Sequence, residues 1–583
     1  MADRGESRRS KKGLSLGTRL ICVAMLLYLA AVFIALGTGP FDSFTAWFLY
    51  AQDRWLLLAQ LFVLAAVVWR LDLGQQSIVL PDRLCVLLAL LLVPLCYLGH
   101  WLVLSGYDLS RDEQMATFDA NIFARGHLVQ AVAAPWRAHL DALNTMFVLP
   151  AAKPVAWVST YLPVNAALRA LAGKVADQAI IGPTMTCIGA FASWKCARLL
   201  WPEDREASTL TLLFYLLSGQ ILIAGMSAFA MSGHLALDMV WLWLFLQDRR
   251  RSDIAAVGVG VVATGLHQPL FHPLFVAPFI LLLFARRAWG RAALFVGCYT
   301  AIGLFWLAWP NWMYGMIEAG RPAATPVGAD FWTRLVWLWT TPSAPRTIFM
   351  SANLLRFAAW QPLMLLPLFA AGLATARRDG MALALTAAAI LPVVAAGILM
   401  ADQGQGFGYR YIHGAIGAVI LVAVYGWRRV TAGNVEWRSL VRRCLAGSLL
   451  ILLPMQVVMT HAYYSAFATV DRRIATSGSD YFIIGNDDAP SSNAFVINRA
   501  DLSNRPIRLF GDRVDADLIS FMCRKGAIVG MATSALYAPV NRYFSGGIIS
   551  LSSDRRIKKL GPQLSAAGCR VAPLDDGQPA EHG

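Results

Sequence analysis

Long apolar runs separated by short charged segments recur along this chain up to about residue 462. A helix needs about 20 consecutive apolar residues to cross the hydrocarbon core of a membrane. The pattern therefore predicts about thirteen transmembrane helices. Their predicted positions are 17–38, 54–70, 84–105, 179–200, 207–226, 234–247, 254–268, 273–285, 292–309, 357–375, 381–400, 412–427 and 444–462.

The composition agrees with this pattern. Apolar residues make up 57% of the chain and charged residues only 15%, which is too apolar for a soluble protein of 583 residues. We therefore expect an α-helical polytopic membrane protein.

Lysine and arginine are unequally distributed between alternate loops. With a cytoplasmic N-terminus, the cytoplasmic loops hold nearly all of them, and the opposite short loops hold almost only Arg54 and Arg410. We expect this orientation in a bacterial inner membrane, with an extracytoplasmic C-terminus. Basic loops that face anionic lipid also account for the formal net charge of +15, so no nucleic-acid partner is needed.

The predicted topology divides the chain into four parts. Residues 1–105 hold a basic N-terminal segment, interpreted as a retained signal-anchor, and the first three spans. Residues 106–178 form an extracytoplasmic loop with interfacial helices, which carries the candidate catalytic acids. Residues 179–462 are the remaining membrane domain, with an outer loop at about 310–356, and residues 463–583 are an extracytoplasmic domain.

This last part has a mixed polar sequence, which favours a small α/β domain. Short β-type runs occur at Tyr481–Ile484, Phe495–Ile497 and Ile528–Val529, and a helical pattern covers Asp515–Arg524. Cys523 and Cys569 are the two cysteines of the domain, and the sequence leaves open whether they are bonded.

An acidic cluster follows the third predicted span. Read as a helix, it places Met115, Phe118 and Ile122 in an apolar stripe on the membrane surface, with Asp112 and Asp119 together on another face. Carboxylates at the boundary of lipid and water are candidates for catalysis on a lipid-borne group. The alternative is that they only solvate the helix or pair with nearby arginines.

A glycine-rich segment, Gly404–Gly414, begins a late span on the outer side. It contains Tyr409, Arg410, Tyr411 and His413. An arginine beside tyrosines suits a phosphate, because guanidinium donates two hydrogen bonds to it and neutralises its charge. The alternative is that Arg410 only reaches lipid headgroups.

Histidines form a third group of candidates. His267, Gln268 and His272 lie in a proline-containing segment at an outer membrane edge, and their spacing favours polar contact with a substrate over metal binding. His234 lies four residues before Asp238 in a predicted span. We interpret Asp238 as a link between helices and His234 as part of the site.

In their order along the chain, these segments resemble a known family. The Arg111-Asp112-Glu113 run, the segment Trp157–Pro163 with Tyr161, the His-Pro pair and the Gly-Tyr-Arg-Tyr run are similar to the GT-C fold glycosyltransferases. The similarity is to the branch of protein O-mannosyltransferases and lipid A aminoarabinose transferases, and it covers roughly residues 100–430.

The resemblance implies a GT-C-like fold and a polyprenyl-phosphate-linked sugar donor. The sugar would pass, with inversion, to a cell-envelope glycan, lipid or protein, with Asp112 or Glu113 as the base. The expected substrate-binding residues are Arg111, Asp119, Tyr161, His234, His267, Gln268, His272, Tyr409, Arg410, Tyr411 and His413. The sequence predicts no metal site but leaves open whether a divalent cation assists. The alternative function is a transporter or flippase of a lipid-linked sugar.

Overall fold

The computed structural model describes residues 44–69, 77–143, 146–318, 344–400, 402–433, 436–485, 489–544 and 551–573, with a few residues between 22 and 33. The predicted first span at 17–38 lies largely outside these ranges. The predicted outer loop at 310–356 lies partly outside them.

Most of the described chain is helical. The helices that follow the apolar runs are Phe44–Trp69, Asp82–Leu102, Ile181–Leu200, Arg205–Leu216, Gly219–Met226, Met231–Leu246, Arg250–Thr264, Phe271–Ala285, Trp289–Ile317, Ala344–Ala359, Leu365–Ala376, Gly380–Leu399, Ile416–Gly433, Glu436–Gly447 and Leu453–Ala475. The segment 106–178 contains three more, Arg111–Ala124, Leu140–Leu143 and Val164–Ala172. Each predicted span within the described ranges therefore coincides with a helix or a pair of helices.

Several of these helices are suited to cross a membrane. Among the described residues, six are long and apolar enough, or seven when one bent pair counts as a single span, and four shorter apolar helices accompany them. The six include Asp82–Leu102 and the continuous stretch Arg410–Ala432. The chain is thus a polytopic α-helical membrane protein, as its hydropathy predicts.

Two predicted spans are broken. The span predicted at 207–226 consists of two helices that meet at an angle of 55°, and the Ser218 hydroxyl caps the second of them. The span predicted at 357–375 consists of Ala344–Ala359 and Leu365–Ala376, with Met364 in a left-handed conformation at the break. Hydropathy averaged over a window does not show such breaks, because the residues on both sides are apolar.

Glycines bring the helix that follows Arg410 close to its neighbour. A Cβ atom at Gly426 would overlap the backbone carbonyl of Leu368, and one at Gly372 would overlap that of Val422. Small residues allow this approach of two backbones inside a membrane bundle. The contact fixes the helix that directly follows the Arg410 turn.

The C-terminal region forms a separate α/β layer. Four parallel strands lie side by side in the order Ile507–Phe510, Tyr481–Ile484, Ile528–Met531 and Arg570–Pro573. The helices of this region are Ala516–Cys523, Ala538–Tyr543 and Leu551–Ala566. The small α/β domain is therefore confirmed, and Cys523 and Cys569 are joined by a disulfide.

The details of this domain differ from the sequence prediction. Phe495 ends a short 3₁₀ turn, Ser492–Phe495, where a strand was expected, and the strands Ile507–Phe510 and Arg570–Pro573 were not predicted. The last long helix continues to Ala475, past the predicted boundary at 463.

The segment 106–178 packs against this domain. Gln130–Ala131 and Ala156–Trp157 pair as a short antiparallel sheet within the loop, and the Trp157 indole donates to the Ala500 carbonyl at 2.9 Å. The stripe of Met115, Phe118 and Ile122 is buried in a core shared with the C-terminal domain. The expectation that the stripe lies on the membrane surface was therefore wrong. An apolar helix face indicates that the face is buried, but it does not indicate what covers it.

Candidate functional site

The loop helix Arg111–Ala124 begins with a capping box. The Ser110 hydroxyl accepts a hydrogen bond from the Glu113 backbone N–H (3.3 Å), and the Glu113 carboxyl accepts one from the Ser110 N–H (2.9 Å). The Tyr464 hydroxyl donates to the same carboxyl at 3.1 Å, and Glu113 is fully buried. These contacts fix the first helical turn, which holds Asp112.

Asp112 contacts Arg410, although the two residues are 298 positions apart in the sequence. Arg410 Nη1 donates to one carboxylate oxygen of Asp112, and the Tyr161 hydroxyl donates to the other. The side chains of Asp112 and Arg410 are 11% and 14% exposed. The pair is thus mostly, but not fully, shielded from water.

The ionisation of Asp112 is set by two opposing effects. Burial raises the pKa of its carboxyl, but the positive charge of Arg410 and the hydrogen bonds from Arg410 and Tyr161 lower it by more, so the pKa lies below its ordinary value. Asp112 is therefore a carboxylate at neutral pH. The ring of His267 stacks on that of Tyr161, with 4.2 Å between centroids, and forms the adjoining wall.

Backbone and side-chain contacts of Gln403 position Arg410. The Gln403 carbonyl accepts from Arg410 Nε (3.1 Å) and Nη2 (2.7 Å), and the Gln403 side chain accepts from the Arg410 backbone N–H (2.9 Å). Gly404, Gly406 and Gly408, which all have positive φ, allow the intervening turn. The Arg410 guanidinium also lies 5.2 Å from the centroid of the Tyr411 ring.

Asp119 has a different environment from Asp112, although both lie on the same side of the loop helix. Its carboxyl accepts hydrogen bonds from the Ser159 backbone N–H (3.0 Å) and hydroxyl (2.5 Å). Burial raises the pKa of Asp119 to about 7, against the lowering effect of the Ser159 hydrogen bonds. Asp119 therefore ties the loop helix to the segment between the strand Ala156–Trp157 and Tyr161.

We expect Asp119→Asn to change the pH dependence of stability. Below about pH 4 the Asp119 carboxyl is protonated in both the folded and the unfolded chain. Between about pH 4 and pH 7 this carboxyl ionises only in the unfolded chain. The free energy of unfolding of wild type therefore falls by up to about 1.4 kcal/mol per pH unit in this range. Asn keeps both contacts with Ser159 but does not titrate. Thermal unfolding should show that the stability of the variant increases relative to that of wild type as the pH rises from 4 to 7. A stability difference independent of pH would contradict this account.

Arg111 and Tyr409 lie near the site but have structural partners. Arg111 donates to the Val496 carbonyl (2.9 Å) of the C-terminal region, and burial lowers its pKa to about 10. Tyr409 is fully buried, and its backbone N–H and carbonyl bond to the side chain of Gln220 at 3.2 and 2.8 Å. Neither of these contacts involves Asp112.

Two other candidate histidines, His234 and His272, lie near Asp238 inside the membrane bundle. His272 Nδ1 lies 2.5 Å from the Asp238 carboxyl, and its Nε2 lies 2.7 Å from the Tyr299 hydroxyl, so Asp238 links helices as expected. His234 lines a small cavity together with Asp238 and Tyr411.

Two predicted residues remain. His413 Nδ1 lies 3.5 Å from the side chain of Gln220, which places it beside the buried Tyr409 contacts. Gln268 follows His267 and is half-buried.

The structure therefore brings together Asp112, Tyr161, His267, Arg410 and Tyr411. It places Arg111, Glu113, Asp119 and Tyr409 in supporting contacts. The sequence interpretation missed three positioning residues, Ser110, Gln220 and Gln403. Only Ser110 carries a sequence signal, the Ser-x-x-Glu pattern of a capping box.

No protein-family model and no curated protein matches this sequence. The chain is similar to a crystal structure of ArnT from Cupriavidus metallidurans in the apo state, with 13% identity, 71% of this chain and 84% of that one covered, and a TM-score of 0.45. It is also similar to the structure of that protein bound to undecaprenyl phosphate, with 14% identity, coverage of 72% and 85%, and a TM-score of 0.42. Function is therefore inferred from the site.

Proposed function

We propose that this chain is an integral membrane glycosyltransferase that moves a sugar from a polyprenyl-phosphate donor to an extracytoplasmic acceptor. The observation that carries the proposal is the pair of Asp112 and Arg410 at the outer end of the apolar stretch Arg410–Ala432. A carboxylate that accepts a proton and a guanidinium that binds phosphate are the two groups this reaction needs.

Arg410 has capacity to bind the donor phosphate. Arginine carries five N–H donors, and in the described part of the chain three of them donate, one each from Nε, Nη1 and Nη2. The second N–H groups of Nη1 and Nη2 are left for a phosphate. Because Arg410 starts a membrane helix, it lies at the depth of lipid phosphates, with the polyprenyl tail among the helices.

Asp112 acts as the base in the proposed reaction. Its carboxylate takes the proton from an acceptor hydroxyl or amine as that atom bonds to the anomeric carbon. The bond between that carbon and the phosphate oxygen breaks, and its electron pair leaves with the polyprenyl phosphate, which Arg410 stabilises. A phosphate on Arg410 also weakens the hold of Arg410 on Asp112, which raises the pKa of Asp112 and makes it a stronger base.

Asp112 is preferred to Glu113 as the base because of their contacts. Glu113 is fully buried and bonded to Ser110 and Tyr464, whereas Asp112 is partly exposed at the site. Tyr161 holds one oxygen of Asp112 in place. The lysine and arginine distribution supports a cytoplasmic N-terminus, and with that orientation the site would face the extracytoplasmic side of a bacterial inner membrane.

A transfer assay tests the proposed function. Purified protein is incubated with polyprenyl-phosphate donors that carry different radiolabelled sugars, with cell-envelope extract as the acceptor. We expect label in the acceptor with inverted anomeric configuration, because a single displacement inverts that carbon. A retained configuration would contradict the single displacement. No transfer, with labelled lipid crossing vesicle membranes instead, would favour a flippase.

A further inference from the structure

A second cavity lies on the other side of the loop helix. It has a volume of about 600 Å³ and is bounded by the loop helix, the outer end of helix Leu453–Ala475 and residues 497–508 of the C-terminal domain. Thr117 and Asn121 line it, and helical periodicity places them on the opposite side of the loop helix from Asp112. The cavity is therefore distinct from the site that contains Asp112 and Arg410.

The charges around this cavity balance. Its charged lining residues are three acids and three arginines, Asp108, Asp471, Asp501, Arg125, Arg499 and Arg508. Arg508 pairs with Asp471, and Arg125 pairs with Asp501 at 2.6 Å. Asp108 accepts a hydrogen bond from the Thr117 hydroxyl at 2.5 Å. The formal charges of the six groups cancel and two of the three arginines are already paired with acids, which favours a polar ligand without a strong charge of its own.

Several polar groups of the lining have capacity for such a ligand. Tyr107 is 7% exposed, and its hydroxyl is buried without a hydrogen-bond partner among the described residues. Within the same described ranges, no hydrogen bond engages the side chains of Asn121, Gln178 and Arg499. The amide and guanidinium groups of Asn121, Gln178 and Arg499 can donate to, and the two amides can accept from, the polar groups of a ligand.

The shape and chemistry of the cavity indicate the class of ligand. Met115, Phe118 and Ile497 contribute apolar surface, while amides, carboxylates and guanidinium groups provide both donors and acceptors. A neutral sugar presents hydroxyl groups at its edge and C–H groups on its faces, which matches this mixture. The volume lies within the usual range for small-molecule sites, about 300–1,000 Å³. We propose that the cavity binds a neutral oligosaccharide.

Binding at this cavity does not depend on the proposed function. No lining residue takes part in the contacts of Asp112 and Arg410, so binding is expected to persist when transfer is abolished. The cavity joins the loop helix to the C-terminal domain, and a saccharide held there would stabilise that junction.

The test uses the full-length protein in a detergent without a sugar headgroup. Immobilised neutral and anionic oligosaccharides from bacterial cell envelopes serve as probes, and the affinity of the best-retained neutral one is then measured in solution. Two variants alter the cavity: Asn121→Trp places a large ring in it from an exposed helix position, and Asn121→Ala with Gln178→Ala removes two amides. Asp112→Asn is the matched control on the other side of the helix.

We expect neutral oligosaccharides to be retained and both cavity variants to bind about tenfold more weakly or worse. Asp112→Asn should bind like wild type, which separates this result from any failure of the transferase proposal. The proposal is overturned if no neutral oligosaccharide is retained, if only anionic ones are, or if both cavity variants bind as wild type does. Thermal unfolding midpoints near the wild-type value establish that the variants are folded.

Discussion

Replacing Asp112 with asparagine is expected to lower the rate of sugar transfer about 1,000-fold, because a positioned general base contributes roughly 10²–10⁴ to a rate. Asparagine has the same size: its carbonyl oxygen can still accept from Arg410, and its NH2 group can donate to the Tyr161 hydroxyl in place of the second carboxylate oxygen. It does not take up a proton as the acceptor attacks. Steady-state kinetics with the donor found in the transfer assay measure this loss as a fall in kcat.

Donor binding is the control for this prediction. Asp112 does not contact the donor phosphate in the proposed mechanism and competes with it for Arg410, so labelled donor should bind Asp112→Asn at least as tightly as wild type. A variant that loses donor binding as severely as turnover would show that Asp112 holds the site together and is not its base.

Replacing Arg410 with alanine is expected to weaken donor binding roughly a hundredfold, since removing one partner of a buried charged pair costs about 2–5 kcal/mol. Arg410→Lys keeps the charge but loses the paired donors, so an intermediate loss is expected. Donor affinities of the three proteins measure the effect. Equal affinities would exclude Arg410 from phosphate binding.

Replacing Arg410 with alanine should also alter the pH dependence of transfer. In wild type the pKa of Asp112 lies below its ordinary value because Arg410 outweighs burial, so Asp112 stays ionised as the pH falls from 8 to 5. In Arg410→Ala the largest opposing charge is absent, and burial raises the pKa. The residual rate of the variant should therefore fall more steeply than that of wild type over this range. Parallel profiles would contradict the coupling.

Most membrane helices were predictable because crossing a bilayer imposes a length and a composition on each segment. The predicted span 84–105 corresponds to Asp82–Leu102, and the predicted span 381–400 to Gly380–Leu399. The breaks within the spans predicted at 207–226 and 357–375 were not predictable in this way. They depend on local capping and backbone conformation, which an average of apolar character does not record.

The candidate site was predictable only in part. Asp112 and Arg410 were noticeable as charged residues at membrane edges where charge is costly, and the structure places them in contact. The different roles of the neighbouring acidic residues were not predictable. Asp112, Glu113 and Asp119 lie on one short helix, and only their partners Arg410, Tyr464 and Ser159, all distant in the sequence, distinguish them.

The measurement that tests the central claim most directly compares two matched variants in one transfer assay. Asp112→Asn and Asp119→Asn make the same chemical change seven residues apart on the loop helix, but only Asp112 contacts Arg410. The proposed mechanism predicts that Asp112→Asn loses transfer and that Asp119→Asn keeps it within a fewfold of wild type. Transfer that persists in Asp112→Asn at the wild-type rate would contradict the assignment of the base and, with it, the proposed site.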